Sequence, residues 1–159
     1  MEIEIRKAEQ SDVPAIAKIL RELGWFAHIT TETPAETQAH IARQLVLCQT
    51  DDSHLVFVAE AANGEVVGYV SVHWLPYLIH TGPEGYVSEL FINNSSRGQG
   101  IGSRLLETVE SEAIRRGCTR LALLNMRQRE SYQREFYSKH GWEERPQAAN
   151  FVKVLQDAK

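Results

Sequence analysis

Three glycines alternate at positions 98, 100 and 102, inside the stretch Glu89-Leu90-Phe91-Ile92-Asn93-Asn94-Ser95-Ser96-Arg97-Gly98-Gln99-Gly100-Ile101-Gly102-Ser103. They fall where a strand-like pattern gives way to a helical one. Glycine admits positive φ and close backbone approach, so successive N–H groups can converge on a bound anion. The head of the following helix adds N–H groups without intrahelical acceptors and the positive end of its dipole. The chemistry is that of a phosphate cradle, with Arg97 and Arg104 supplying charge nearby. Two common cradles fail. No Lys-Ser/Thr follows the glycines, which excludes the GxxxxGK[ST] loop, and Ser103 breaks the GxGxxG fingerprint.

A Glu in the middle of the apolar run 86–92 is the second chemical signal, because burying a carboxylate is costly. Strand alternation puts Glu89 on one face with Val87 and Phe91, and Leu90 and Ile92 on the other. Such a carboxylate is a base, one half of an ion pair with an arginine, or a residue of a solvated face. Glu130 and the loop residue Glu84 are the other carboxylates available for a base. Further along, Phe136-Tyr137-Ser138-Lys139-His140-Gly141-Trp142 brings a tyrosine and a glycine close to the end of a short helix.

The Arg97–Gly102 run, Arg-Gly-x-Gly-x-Gly, resembles the [QR]-x-x-G-x-[GA] signature of the GCN5-related N-acetyltransferases (GNAT). Phe136–Trp142 resembles the family's later FYxKxGF element. The order of elements is similar too, so the resemblance spans nearly the whole chain. It implies an acetyl-coenzyme A-dependent N-acetyltransferase, acting by direct attack of a primary amine, of a small molecule or alternatively of a protein or peptide, in a ternary complex. On this resemblance Arg97, Gly98, Gln99, Gly100, Ile101, Gly102 and Ser103 hold the pyrophosphate. Strand four splays from strand five, and the backbones of Leu90, Phe91 and Ile92 pair with the pantetheine arm. Glu89 is the general base and Tyr137 the acid for the departing sulfur. The acceptor site lies between the loop of Trp25 and Phe26 and the segment of Trp74 and Tyr77. Glu130 and Gln133 stand where many members carry Asn and Ala, so the cofactor contact of that Asn is not carried over. An alkyl ammonium, with a pKa near ~10.4, is nucleophilic in only about one molecule in 10³ at neutral pH, which is why a base is useful. A Tyr of pKa ~10 giving its proton to a thiolate of ~8.5 works uphill by about 2 kcal/mol. Two other readings fit the glycine spacing: a coenzyme A-binding regulatory module without turnover, and a nucleotide-binding α/β domain.

The elements that position these residues read as β-α-α-β-β-β-α-β-α-β-β. A first strand covers about 2–7, and a helix capped by Ser11 runs to Gly24. Residues 25–33 read as loop, and Pro34 opens a second helix to about Gln49. His54–Ala61 and Glu65–Leu75 flank Asn63-Gly64, a strong hairpin signal. Tyr86–Ile92 is the fourth strand, 101–117 the third helix, Thr119–Leu124 the fifth strand and 130–140 the fourth helix. Strand-like pieces at 142–145 and 151–155 bring the count to about seven. The expected fold is α/β, a mixed and mostly antiparallel sheet flanked by four helices, with strands four and five parallel.

With 159 residues the chain is one domain's worth, expected as a single acyltransferase domain over 1–159. Its net charge of −4 argues against general affinity for nucleic acid or anionic membrane. No apolar run approaches the ~20 residues of a membrane span. The N-terminus lacks the layout of a secretory signal, so the expected compartment is the cytoplasm. Cys48 and Cys118 have no metal or redox spacing, nor do the six histidines, and no metal is expected. The partners implied are acetyl-coenzyme A and an amine; a homodimer is common in such folds, and the sequence leaves the oligomeric state open.

Overall fold

Alternating Ile3 and Ile5 form β1 (Ile3–Lys7) in the computed structural model, which describes residues 1–156. Residues 157–159, the end of the expected domain, lie outside the described residues. Ser11 does not cap the first helix. Gln10–Asp12 make a 3-10 turn, and Asp12 takes over the cap position of α1 (Val13–Leu23). Asp12 makes no side-chain cap bond to α1, and its carboxylate is held at the 3-10 turn instead. The Arg6 guanidinium grips both Asp12 carboxylate oxygens at 2.8 Å, the Glu9 N–H donates to Asp12 Oδ2 at 2.8 Å, and a serine offers no such partner.

Gly24, at φ 67°, ends α1. The stretch read as loop contains a short helix, α2 (Ala27–Thr31), too brief to show periodicity. Its Thr30 and Thr31 hydroxyls donate back to Ala27 and His28 carbonyls. Thr33 and Glu36 cap each other's amides to start α3 (Pro34–Gln49).

β2 (His54–Ala61), β3 (Val66–Leu75) and β4 (Glu84–Ile92) follow, with Gly64 at φ 83° turning the first hairpin. After a 3-10 turn at Asn94–Ser96, α4 (Ile101–Arg115) leads to β5 (Arg120–Leu123). The sheet order is β1-β2-β3-β4-β5, with β4 and β5 parallel and the other pairs antiparallel. One sheet face buries Val58, Val66 and Tyr69 under Ile16, Leu20, Ile41 and Leu45 of α1 and α3. The opposite face carries α4, whose Leu105, Leu106 and Val109 are fully buried.

These elements make up one compact unit, Met1–Leu123; Leu124–Lys159 form a second. The second unit departs from expectation twice. The helix read over 130–140 is two, α5 (Glu130–Gln133) and α6 (Phe136–Lys139). Glu135, at φ 57°, divides them, a left-handed turn that costs a non-glycine residue about 1–2 kcal/mol and that nothing in the sequence marks. No strand forms at 142–145 or 151–155 among the described residues. Phe151, Val152, Val154 and Leu155 are strongly exposed, and β-propensity without a ladder partner or a face to bury does not make a strand. Among the described residues the sheet therefore has five strands, not about seven, and there are six α-helices, not four.

The Arg6–Asp12 pair makes the start of α1 sensitive to acid. Hydrogen bonding to Arg6 holds the buried Asp12 carboxyl below its ordinary range, against the opposing effect of desolvation. A depressed carboxyl contributes stability that is present above its unfolded pKa near ~3.9 and lost as pH falls through its folded one. Asp12→Asn is expected to cost about 1–3 kcal/mol at pH 7 and to flatten the acid limb of stability. Urea midpoints measured across pH check this; equal midpoints at pH 7 would overturn it.

Candidate active site

Glu89 owes its direction to one extra residue. Ser71 pairs with Glu89 but Val72 pairs with Val87, which leaves Ser88 without an opposite number. This β-bulge breaks the alternation. Val87 stays with Val72 on the α4 face, while Glu89 and Phe91 turn to the face of α1 and α3 with Ser71 and Tyr69. The expectation that Val87 shares the face of Glu89 is thus corrected, and that for Phe91 holds. Leu90 and Ile92, opposite Val70 and Gly68, face α4 as the alternation implies.

Glu89 is half-buried, and its carboxylate accepts the Tyr69 hydroxyl at 3.0 Å. Burial pushes the Glu89 carboxyl above its ordinary range, and the Tyr69 bond offsets part of that. Desolvation and the adjacent carboxylate keep the Tyr69 phenol neutral. The carboxylate lines a cleft of about 280 Å³ between the sheet and the helices, along with Phe26, His28, His40 and Ser71. No Lys or Arg is in its lining among the described residues. His40 Nε2 lies 3.1 Å from Glu32 Oε2, an anionic group behind the imidazole. The site is an acidic cavity with apolar walls, a setting that suits an amine.

Beyond Val87, β4 has no ladder partner on the β5 side among the described residues, because the parallel pairing stops at Val87 and Leu123. Residues 88–92 thus have an open strand edge. The glycine loop lies at the end of that edge. Gly98 and Gly100 take φ of 75° and 76°, Gly100 caps α4 in the left-handed region, and space beside both is open. A glycine cap has no side chain to accept the first-turn amides. The first intrahelical donor is Arg104 N–H, to Gly100 O at 3.1 Å, so the earlier N–H groups face outward without a helical acceptor. Arg97, Gln99 and Arg104 are exposed around them, whereas Ile101 is anchored in the core and Gly102 and Ser103 are half-buried in the first turn. An open, amide-rich, positively flanked bend fits a diphosphate.

Of the residues expected at the acceptor site, Trp25 and Phe26 stand with Phe91 in an edge-to-face cluster, ring centroids 5.7 and 6.0 Å from it. Trp74 does not join them. It lies buried on the α4 face with the Arg116 guanidinium 4.8 Å over its ring, and packs where a Cβ on Gly85 would collide. Tyr77 is exposed in a loop against His80, outside the cleft lining. Glu84 is a buried strand residue rather than a loop residue, ion-paired with Arg120 and unavailable as a base. Glu130 and Tyr137 belong to the second unit, Glu130 exposed at the head of α5. Tyr137, between Phe136 and Trp142, has its phenol pushed up to about 12 by burial. Sequence reasoning missed Tyr69, and it missed the face of α3 that lines the cleft. The signal was present: His40, Gln44 and Cys48 recur every fourth residue beside the buried Ile41 and Leu45.

The splayed strand pair, bulged carboxylate and glycine-capped helix define an acyl-coenzyme A transferase type of domain. Residues 18–142 match the model of the Acetyltransferase (GNAT) family, and the chain belongs to that family. It is 30% identical over 126 residues to thialysine N-epsilon-acetyltransferase of Bos taurus, covering 75% of this chain and 72% of that one. It is 37% identical over 83 residues to aminoalkylphosphonate N-acetyltransferase of Salmonella typhimurium, covering 52% and 53%. In fold it is similar to a transcriptional regulator from Bacillus halodurans C-125, with a TM-score of 0.83, 23% identity and coverage of 97% and 100%.

Tyr69→Phe removes the one hydrogen bond that lowers the Glu89 carboxyl. The Glu89 pKa is expected to move further up, by NMR titration of the side-chain carboxyl. An unchanged or lower value would show that the phenol does not stabilise the ionised form.

Proposed function

We propose that the protein transfers an acetyl group from acetyl-coenzyme A to the primary amine of a small molecule, with Glu89 accepting the amine's proton. The observation that carries this reading is the half-buried Glu89 carboxylate, raised by burial and lining a small cleft with no Lys or Arg in its lining among the described residues. A base of raised pKa loses less free energy in taking a proton from an ammonium near ~10.4 than an ordinary carboxylate does. The cleft's size suits a small acceptor. The acceptors in the relatives' names, thialysine and aminoalkylphosphonate, are amines of small molecules, which supports the same class. Phe26 lines the cleft, and an aromatic face presented to an ammonium attracts it by ~0.5–2 kcal/mol.

Acetyl-coenzyme A supplies an already activated acyl group. The amides from Gly98 to Ser103 would hold its diphosphate, with Arg97 and Arg104 adding charge. The open edge at Leu90, Phe91 and Ile92 would hydrogen-bond the pantetheine amides as a neighbouring strand does. The role of Tyr137 rests on the family element that contains it. With its phenol near 12, passing a proton to a thiolate of pKa ~8.5 is uphill by about 5 kcal/mol. On that element's pattern it would contribute a hydrogen bond to the leaving sulfur rather than a proton.

Incubation with acetyl-coenzyme A and a panel of small primary amines, following thiol release, tests the reading; no release with any amine sinks it. Glu89→Gln is expected to lower kcat/KM roughly 10²–10⁴-fold at pH 7. That deficit should shrink as pH approaches the amine's own ~10.4, where a base is no longer needed. A deficit constant with pH would take Glu89 out of proton transfer. Separately, Gly100→Glu places a charged side chain in the mouth of the bend. Calorimetry is expected to show acetyl-coenzyme A binding lost with circular dichroism retained, and binding as tight as the parent's would move the diphosphate elsewhere.

A further inference from the structure

The bulge that aims Glu89 also presents Ser88, exposed and with no cross-strand partner. Ser88 Oγ lies 2.7 Å from His73 Nε2, and the other His73 nitrogen, Nδ1, lies 2.8 Å from His54 Nδ1. His54 and His73 are direct cross-strand neighbours, with ring centroids 5.0 Å apart. Two Nδ1 atoms bond only when one carries a hydrogen and the other does not. With His73 Nδ1–H donating to His54, His73 Nε2 is left as an acceptor for the Ser88 hydroxyl. The competing acceptor for that hydroxyl, the Ser71 carbonyl, is at 3.5 Å, the outer limit of a hydrogen bond. Desolvation and His54 lower the His73 pKa, so its imidazole is neutral at pH 7 and free to take a proton. Tyr86, opposite His73, has its phenol raised by burial and brings no charge to it at pH 7.

A hydroxyl bonded to an imidazole that a third group orients is the arrangement that activates a nucleophile. It stands beside the cleft, since Ser71 and Glu89, the pair flanking the bulge, both line it. We propose that Ser88, His73 and His54 act as nucleophile, base and orienting group, and that Ser88 accepts an acetyl group when no amine is bound. The proposal rests on the acetyl-coenzyme A reading above for its donor. In the step, Ser88 Oγ bonds to the acetyl carbon and the carbon–sulfur bond breaks. The hydroxyl proton passes to His73 Nε2 and then to the departing thiolate, giving O-acetyl-Ser88 and free coenzyme A. The resulting ester removes the Ser88 donor from His73 and adds bulk at the edge of the cleft.

The test is intact-mass and peptide mapping of the full chain, without amine, after acetyl-coenzyme A in one arm and p-nitrophenyl acetate in the other. The second donor does not need the glycine cradle. Both arms are expected to add one acetyl group at Ser88, removable by mild hydroxylamine as an ester is and an acetylated lysine is not. Ser88→Ala should lose it, and His73→Gln should slow it by about 10²-fold, with a smaller loss for His54→Gln. Gly100→Glu should abolish labelling by acetyl-coenzyme A and keep labelling by the ester. No adduct at Ser88 with p-nitrophenyl acetate, or a rate unchanged in His73→Gln, overturns the triad. An adduct with that ester but none with acetyl-coenzyme A, in protein that acetylates amines, overturns acetyl-coenzyme A as the donor. If amines are not acetylated either, the acetyltransferase reading has failed and the donor assignment falls with it.

Discussion

The site depends on holding a carboxylate half-buried in a sheet without a cation beside it. Taking Glu89 out of water disfavours its ionised form, and the Tyr69 hydroxyl returns only part of that cost. An arginine in the same place would make the carboxylate more stable and useless as a base. The sheet accepts the arrangement because of the bulge at Ser88. Without it, alternation would turn Glu89 onto the α4 face, among Val70, Val72 and Val87. One extra residue in β4 therefore decides whether the carboxylate meets a cleft or a dry core.

The glycines divide into two kinds with different physical reasons. At Gly68 and Gly85 a Cβ would meet Ile92, or Leu121 and Trp74, well inside contact distance. Those glycines exist for packing between strands and against the α4 face. At Gly98 and Gly100 nothing lies within 4 Å of the missing Cβ, and both have φ near 75°. Those two serve the conformation and keep the approach to the amides clear. Two of the three glycines of the alternating motif are of the second kind, which they share with the turn and cap glycines Gly24, Gly64, Gly117 and Gly141.

The motif and the elements around it were legible because their signals are local. The 97–102 run, the Asn63-Gly64 turn, and the periodicity of α1, α3 and α4 each sit within a few turns of chain, and the structure keeps them. What was not legible is set by contacts distant in sequence. Ser11 falls inside a 3-10 turn whose Asp12 is held by Arg6, so α1 starts past it. Trp74 looked like an acceptor-site aromatic, but strand parity and Arg116 take it to the other side of the sheet. A bulge cannot be read from Val87-Ser88-Glu89, since it depends on where Ser71 and Val72 lie opposite. The terminal pieces at 142–145 and 151–155 had strand-like composition and no partner to realise it.

Glu84 and Glu89 show how a single strand gives identical side chains different roles. They stand five residues apart on β4, and Glu84 is the more buried. At Glu84 the neighbouring parallel strand supplies Arg120, and the pair closes into a structural contact that leaves no lone charge. At Glu89 β5 has already ended, so no arginine can come from that side, and the remaining partner on β3 is a phenol. The end of the parallel pairing after Val87 thus has two consequences from one cause. It frees a strand edge at residues 88–92, and it denies Glu89 the cation that would have neutralised it. Environment, rather than residue type, separates the ion-paired carboxylate from the one proposed as the base.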